Sequence, residues 1–144
     1  MLHDRHYNIF YEDIVMTVEL EMLTWTTVAT LLMWLPYILA HIANVGMVEA
    51  LTYRADGAAL PDWAARAKKA HYNAIENLLP FAVLVLVAHS LEISNAATQS
   101  AAMAFFGLRV AHYVVYVFGV PFGRTLTFAG SWAAQLCIVY QLLM

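Results

Sequence analysis

The chain has 144 residues, of which 62% are hydrophobic and only 12% are charged, and its formal net charge is −3. Soluble domains carry about 25% charged residues, so a chain this apolar could not cover its own surface in water. The small negative charge predicts that the chain has no nucleic-acid partner. The single cysteine, Cys137, excludes an internal disulfide and a cysteine-based zinc site.

Four apolar stretches predict four membrane-spanning helices. They run from about Met22 to Val45, from Leu78 to Leu91, from Ala96 to Val120 and from Leu126 to Met144. A span needs about 20 residues, so the second helix must begin earlier, near Pro61 or Asp62. Proline in the first turn and an acidic residue beside the N-terminal dipole both favour a helix start there.

Nothing in the sequence predicts a strand. Pro36 and Pro80 lie inside the helical patterns, where membrane helices tolerate proline with a kink. The predicted fold class is therefore an all-α integral membrane four-helix bundle. Residues 1–21 are expected to form an N-terminal tail, and residues 22–144 the four-helix transmembrane domain.

The connections predict how the bundle is oriented. Gly46 to Leu60 is the longest, Ser94-Asn95 is a short turn, and Gly119 to Gly123 is a tight turn. The first connection and its run-in to helix two hold four basic residues, the third connection holds Arg124, and the second holds none. Because basic residues stay cytoplasmic, the first and third connections are expected in the cytoplasm and both termini outside.

Two polar stripes lie at membrane depth, where a charged side chain costs about 2.5–3.5 kcal/mol. On helix two the stripe is Arg66, Lys69, Asn73 and Glu76, and on helix three it is Arg109, His112, Tyr113 and Tyr116. Each set steps by three or four residues and so shares one helical face. The stripes are expected to face each other, with Glu76 paired to Arg109.

Cations outnumber anions in this region, and that surplus predicts a ligand. A single Arg–Glu pair is equally consistent with a purely structural role. A cluster with spare positive charge suits an anionic polar ligand, and the apolar helix walls beside it suit a lipophilic one. The histidines His41, His71, His89 and His112 are scattered and are better explained by interfacial or hydrogen-bonding roles, so no metal site is predicted.

Two segments carry a family resemblance. The segment from Arg66 to Asn77 reads RAKKAHYNAIEN and is followed by Pro80-Phe81. The segment from Gly107 to Tyr116 reads GLRVAHYVVY and is followed by PFGRTLTF. Together they resemble the signatures of the MAPEG family, the membrane-associated proteins in eicosanoid and glutathione metabolism, and are closest to its microsomal glutathione transferase and prostaglandin E synthase branch.

The resemblance implies a homotrimer that binds glutathione as co-substrate between adjacent subunits and acts as a transferase or peroxidase on lipophilic electrophiles. It implies that Arg124 lies beside the glutathione sulfur as the catalytic residue. The further ligand-binding residues that it implies are Arg66, Lys69, Asn73, Glu76, Arg109, His112, Tyr116 and Thr125, with Phe128 at an aromatic position. A guanidinium and the start of helix four would both favour a thiolate, because a free thiol has a pKa of about 8.5.

The chain departs from the family pattern at two places. Helix one has no Arg or Lys near its end, and Lys69 stands where an arginine is common, which replaces a bidentate fork by a point charge. Two alternatives therefore stay open. One is a non-catalytic lipid-binding or scaffolding relative, and the other is an accessory subunit of a larger membrane complex.

Overall fold

The computed structural model describes residues 16–144. Within that range the helices are α1 (Val18–Leu32), α2 (Leu35–Val45), α3 (Met47–Leu51), α4 (Asp62–Ser90), α5 (Ala96–Phe118) and α6 (Gly123–Leu143), with a 3-10 turn at Tyr53–Ala55. Of the expected tail 1–21, residues 1–15 lie outside the described residues, and α1 begins one turn before the predicted apolar stretch.

Four helical segments are long and apolar enough to cross a membrane: Val18–Val45, Asp62–Ser90, Ala96–Phe118 and Gly123–Leu143. No strand occurs within residues 16–144. The predicted all-α, four-helix membrane fold is therefore confirmed, and the chain is a multi-pass membrane protein. The predicted early start of the second span is also confirmed, because α4 begins at Asp62 and continues through Pro80.

The first span is broken in its middle, as the proline inside it predicts. The break lies at Met33 and Trp34, and α2 restarts with Pro36 in its first turn. Proline has no N–H to continue the hydrogen-bond ladder. The Tyr113 hydroxyl of α5 donates to the Met33 carbonyl oxygen at 3.0 Å, so the third span holds the break in place.

Both tight connections follow from local chemistry. Asn95 caps α5 by accepting from the backbone N–H groups of Ala97 and Thr98, and the Thr98 hydroxyl accepts in return from the Asn95 N–H. Gly119 ends α5 in the left-handed region at φ 68°, which glycine adopts without strain. The short helix α3 inside the long first connection was not predicted.

Small residues let the helices pack closely. Ala64, Ala67, Ala70 and Ala74 of α4 are all buried, at steps of three and four residues. Such small residues let neighbouring helix backbones approach. Toward the other end the Phe81 and Phe105 rings stack with centroids 3.9 Å apart. The alanine stripe turns the other face of α4, which carries Lys69 and Glu76, away from the interior.

A buried carboxylate joins α1 to the α4–α5 turn at the bundle end far from Arg124. Glu19 is only 2% exposed. It accepts hydrogen bonds from the Ser94 hydroxyl, at 3.0 and 3.1 Å, and from the Thr98 hydroxyl. Both α1 and α5 begin here, and the positive ends of their dipoles stabilise the anion.

Candidate functional site

A buried guanidinium lies at the centre of the polar region. Arg109 of α5 is 2% exposed. Its Nη2 donates to Asn73 Oδ1 at 2.7 Å, and its Nη1 lies 3.5 Å from Ser131 Oγ, at the limit of a hydrogen bond. Arg109 is therefore held by neutral oxygens from the second and fourth spans.

The predicted ion pair between Glu76 and Arg109 is wrong for this chain. Glu76 is exposed, and within residues 16–144 Arg109 contacts no carboxylate. Glu76 lies three residues beyond Asn73, which rotates its side chain by about 60° around α4. The neutral Asn73 amide satisfies the guanidinium without the desolvation cost of burying a second charge.

His112 has a defined tautomer. Its side chain is buried, and Nδ1 lies 3.0 Å from the Arg124 carbonyl oxygen and 3.1 Å from Thr127 Oγ1. A carbonyl only accepts, so Nδ1 carries the hydrogen and Nε2 of the neutral ring is an acceptor. Within residues 16–144 neither His112 Nε2 nor Arg109 Nε has a hydrogen-bond partner. Unpaired buried polar atoms are rare and point to a missing partner.

An open cleft of about 200 Å³ lies beside His112, and we call it the Arg124 cleft. Its lining residues are His112, Tyr116, Arg124, Thr125 and Phe128. The Arg124 guanidinium lies over the Tyr116 ring, 5.5 Å from its centroid. The exposed Arg124 side chain makes no hydrogen bond or ion pair within the described residues, so its charge faces the cleft. Phe128 supplies an apolar wall.

A second cavity, of about 520 Å³, adjoins the Arg124 cleft, and we call it the Arg66 cavity. Its lining residues are Arg66, Val115, Tyr116, Gly119, Val120, Pro121, Phe122, Arg124 and Thr125. Arg66 Nε donates to the Val117 carbonyl oxygen at 2.9 Å, which ties α4 to the end of α5. The two cavities share Tyr116, Arg124 and Thr125.

The structure thus divides the predicted site residues into four groups. His112, Tyr116, Arg124 and Thr125 meet at the Arg124 cleft. Asn73 and Arg109 lie in the buried network next to it, and Arg66 lies in the larger cavity. Lys69 and Glu76 are exposed on α4 and line neither cavity.

Sequence reasoning missed two residues that contact the predicted site residues, Ser131 and Thr127. Ser131 Oγ lies beside Arg109, and Thr127 Oγ1 lies beside His112. Both belong to α6, at steps of three and four residues from Arg124, so they share its helical face. Their three- and four-residue spacing in the fourth span is the sequence signal that marks them.

Comparison with known families gives one match. The sequence model of the MAPEG family matches residues 22–144, which includes every candidate site residue. No curated protein and no solved structure matches the chain.

Proposed function

The chain belongs to the MAPEG family, and from that premise we propose that it is a membrane-bound, glutathione-dependent transferase or peroxidase. The family includes glutathione-dependent transferases and non-catalytic members. The proposed branch is that of microsomal glutathione transferases and prostaglandin E synthases. The proposed second substrate is a lipophilic electrophile, which is conjugated or reduced by the thiol.

The Arg124 guanidinium is the observation that carries this proposal. It is exposed in a cleft, lies at the start of α6, and has no carboxylate partner within residues 16–144. A thiol with a pKa of about 8.5 is mostly protonated at neutral pH. A nearby guanidinium and a helix N-terminus both favour the thiolate, so they lower that pKa and raise the fraction of reactive sulfur.

The other cleft residues fit a peptide thiol. The His112 ring lines the cleft although its Nε2 atom is buried, and Thr125 lies there beside Arg124. They would bind polar groups of glutathione, while Phe128 would contact the lipophilic substrate. Glutathione supplies the sulfur nucleophile, and the chain's own residues bind it, orient it and stabilise its charge.

The proposed assembly is a homotrimer, and two exposed charges support self-association of the chain. α4 has 29 residues, whereas about 20 cross the hydrocarbon core, so Glu76 lies within the core. A carboxylate facing lipid there costs about 2.5–3.5 kcal/mol, and a second copy packed against this face would remove that cost. Lys69 and Glu76 would then reach a glutathione bound between two copies.

The proposed orientation follows the basic residues. The first connection holds Arg54, and the adjoining start of α4 holds Arg66, Lys68 and Lys69. The connection before α6 is followed at once by Arg124. By the positive-inside rule these two connections face the cytoplasm, where glutathione is available to the Arg124 cleft.

The test is conjugation of glutathione to a generic electrophile such as 1-chloro-2,4-dinitrobenzene by the purified protein. Arg124→Ala should lower kcat/KM by about 10²–10³-fold, the usual effect of removing one group that stabilises developing negative charge. Arg54→Ala is the matched control, because Arg54 is exposed and its one ion pair within residues 16–144 is with Glu49, at 3.6 Å. Equal activity of wild type and Arg124→Ala would refute the role of Arg124.

One observation favours a second candidate, a non-catalytic lipid-binding or accessory protein. Neither α1 nor α2 contains an Arg or Lys, and the next basic residue, Arg54, pairs with Glu49. The first span therefore offers no cation to a glutathione on a neighbouring copy. Inert wild-type protein that fails to bind glutathione in a calorimetric titration would favour this candidate.

A further inference from the structure

A separate cavity of about 240 Å³ lies between α2, the first connection and α4, and we call it the Lys68 cavity. Its lining residues are Tyr37, Ile38, His41, Ala50, Asp56, Ala58, Leu60 and Lys68. None of them lines the Arg124 cleft or the Arg66 cavity. The Lys68 cavity is therefore distinct from the proposed glutathione site.

Contacts within the chain hold the walls of the Lys68 cavity. A hydrogen bond of 3.0 Å joins the Tyr37 hydroxyl and His71 Nδ1, and both side chains are buried, so α2 and α4 are fixed against each other. Asn44 Nδ2 donates to the Ala59 carbonyl oxygen at 3.1 Å. This bond ties the first connection, which carries Asp56, to the end of α2.

Two opposite charges line the Lys68 cavity without meeting. Asp56 and Lys68 form no ion pair with each other or with any other residue within 16–144. The Lys68 ammonium lies 5.8 Å from the centroid of the exposed Tyr72 ring, a contact that leaves its three N–H donors available. The half-buried His41 ring adds a further polar group.

The lining of the Lys68 cavity favours a ligand that carries both charges. Of the described residues, one acid and one base line it, so its formal charge is zero with His41 neutral. A purely anionic ligand would leave Asp56 without a partner, and a purely cationic ligand would leave Lys68 without one. A zwitterion placed between the two side chains satisfies both.

The Lys68 cavity lies at the level of lipid headgroups. Lys68 is in the second turn of the 29-residue α4, whose first turns extend beyond a core that about 20 residues cross. Ile38 of α2 lines the cavity, and Trp34 lies one turn nearer the bilayer centre on the same helical face, where it is 41% exposed. A polar cavity next to an exposed apolar helix face complements a lipid headgroup and the start of its acyl chains.

We propose that the Lys68 cavity binds the headgroup of phosphatidylethanolamine, a zwitterionic phospholipid. Lys68 and the His41 ring donate to the phosphate, and the Asp56 carboxylate accepts from the primary ammonium. An acyl chain lies along Ile38 and Trp34. The site does not depend on the proposed glutathione chemistry, because no residue of the glutathione site takes part.

Other ligands leave one feature of the cavity without a partner. Phosphatidylglycerol offers a phosphate to Lys68 but no cation to Asp56. Phosphatidylcholine offers both charges, but its quaternary ammonium has no N–H to donate to a carboxylate. A free zwitterion leaves the apolar face at Trp34 bare.

The experiment is native mass spectrometry of detergent-purified protein titrated with the three lipids, with matched acyl chains and without glutathione. Wild type should retain phosphatidylethanolamine preferentially. Lys68→Gln should lower the apparent affinity for phosphatidylethanolamine and phosphatidylglycerol alike, about five-fold, the usual contribution of one basic residue to binding an anionic lipid group. Asp56→Asn should lower the affinity for phosphatidylethanolamine about four-fold, near the upper end for an exposed ion pair, and should not lower that for phosphatidylglycerol.

Two matched variants control for general surface charge. Asp62→Asn removes an exposed carboxylate at the start of α4, and Arg54→Gln removes an exposed cation of the first connection. Neither residue lines the Lys68 cavity. Both variants should change the ratio of the affinities for phosphatidylethanolamine and phosphatidylglycerol less than two-fold, because exposed charges are screened by salt.

Three results would overturn the proposal. One is equal retention of the three lipids by wild type. The second is an unchanged lipid preference in Asp56→Asn, or a change as large in Asp62→Asn. The third is displacement of the lipid by millimolar glycerophosphoethanolamine or glutathione, which would assign the cavity to a free zwitterion. If Lys68→Gln fails to fold, Asp56→Asn carries the test, because Asp56 is exposed. Activity is not measured, so an inert enzyme leaves this test intact.

Discussion

Removing the amide partner of Arg109 should destabilise the bundle, and removing both groups should restore much of the loss. The bond from Arg109 Nη2 to Asn73 Oδ1 is 2.7 Å long, whereas the contact with Ser131 is 3.5 Å, so within residues 16–144 Asn73 is the one strong partner. Asn73→Leu leaves the guanidinium buried with one weak contact. The expected loss in free energy of unfolding is about 1.5–3 kcal/mol, the range for hydrogen bonds to charged groups.

The double variant Asn73→Leu/Arg109→Met isolates the interaction. It replaces the charged pair by apolar side chains, and such replacements in protein interiors are often neutral or stabilising. The two single losses should therefore exceed the double loss by about 1.5–3 kcal/mol. Neutral hydrogen bonds between membrane helices average only about 0.6 kcal/mol in such cycles, so a value above that range reports the charge.

The assay is equilibrium unfolding in mixed micelles with increasing denaturing detergent, at one protein concentration and without glutathione. Ser131→Ala is the graded control, because its contact with Arg109 is long, and it should lose less than Asn73→Leu. Additive losses in the double variant would show that Asn73 and Arg109 do not stabilise each other.

Two further predictions concern stability, measured as the unfolding midpoint in the same micelles. Tyr113→Phe removes the hydroxyl that bonds to the Met33 carbonyl and should lower the free energy of unfolding by about 0.6–1.5 kcal/mol. The control Tyr140→Phe, at a side chain that is 58% exposed, should cause no measurable loss. Equal effects of the two variants would refute the role of that bond at the helix break. Glu19→Ala leaves the Ser94 and Thr98 hydroxyls without their acceptor and should lower the free energy of unfolding by about 1–3 kcal/mol. The control is Glu21→Ala, at an exposed residue of the same turn. An unchanged midpoint in Glu19→Ala would show that the buried carboxylate does not join α1 to the rest of the bundle.

The helices could be predicted from the sequence because the membrane leaves few choices. Apolar length sets the spans, and the break before Pro36 and the start at Asp62 follow from proline and dipole chemistry. The short helix α3 was missed because five residues give too little periodicity to recognise. Glu19 was assigned to the tail, because no local pattern shows that Ser94 and Thr98 lie beside it.

The site was predicted only in part, because periodicity shows which residues share a helical face but not which side chains meet. Periodicity correctly puts Asn73 and Arg109 on facing helix sides, and His112 beside Tyr116. It cannot distinguish Asn73 from Glu76 as the partner of Arg109, since both lie on the same stripe. Charge complementarity favoured Glu76, but a buried guanidinium needs an acceptor with the right geometry, and the amide one turn earlier provides it at lower desolvation cost.

The geometry around Arg124 allows the Arg124→Ala test to separate the effect of the guanidinium from the orientation of His112. His112 is oriented by the Arg124 backbone carbonyl and by Thr127, so the Arg124 side chain takes no part in setting its tautomer. Arg124→Ala therefore removes the guanidinium from the cleft and keeps the orientation of the His112 ring. Lost activity with retained glutathione binding would then assign the defect to the charge beside the sulfur. Lost binding as well would mean that the guanidinium holds the peptide and does not act on the thiol alone.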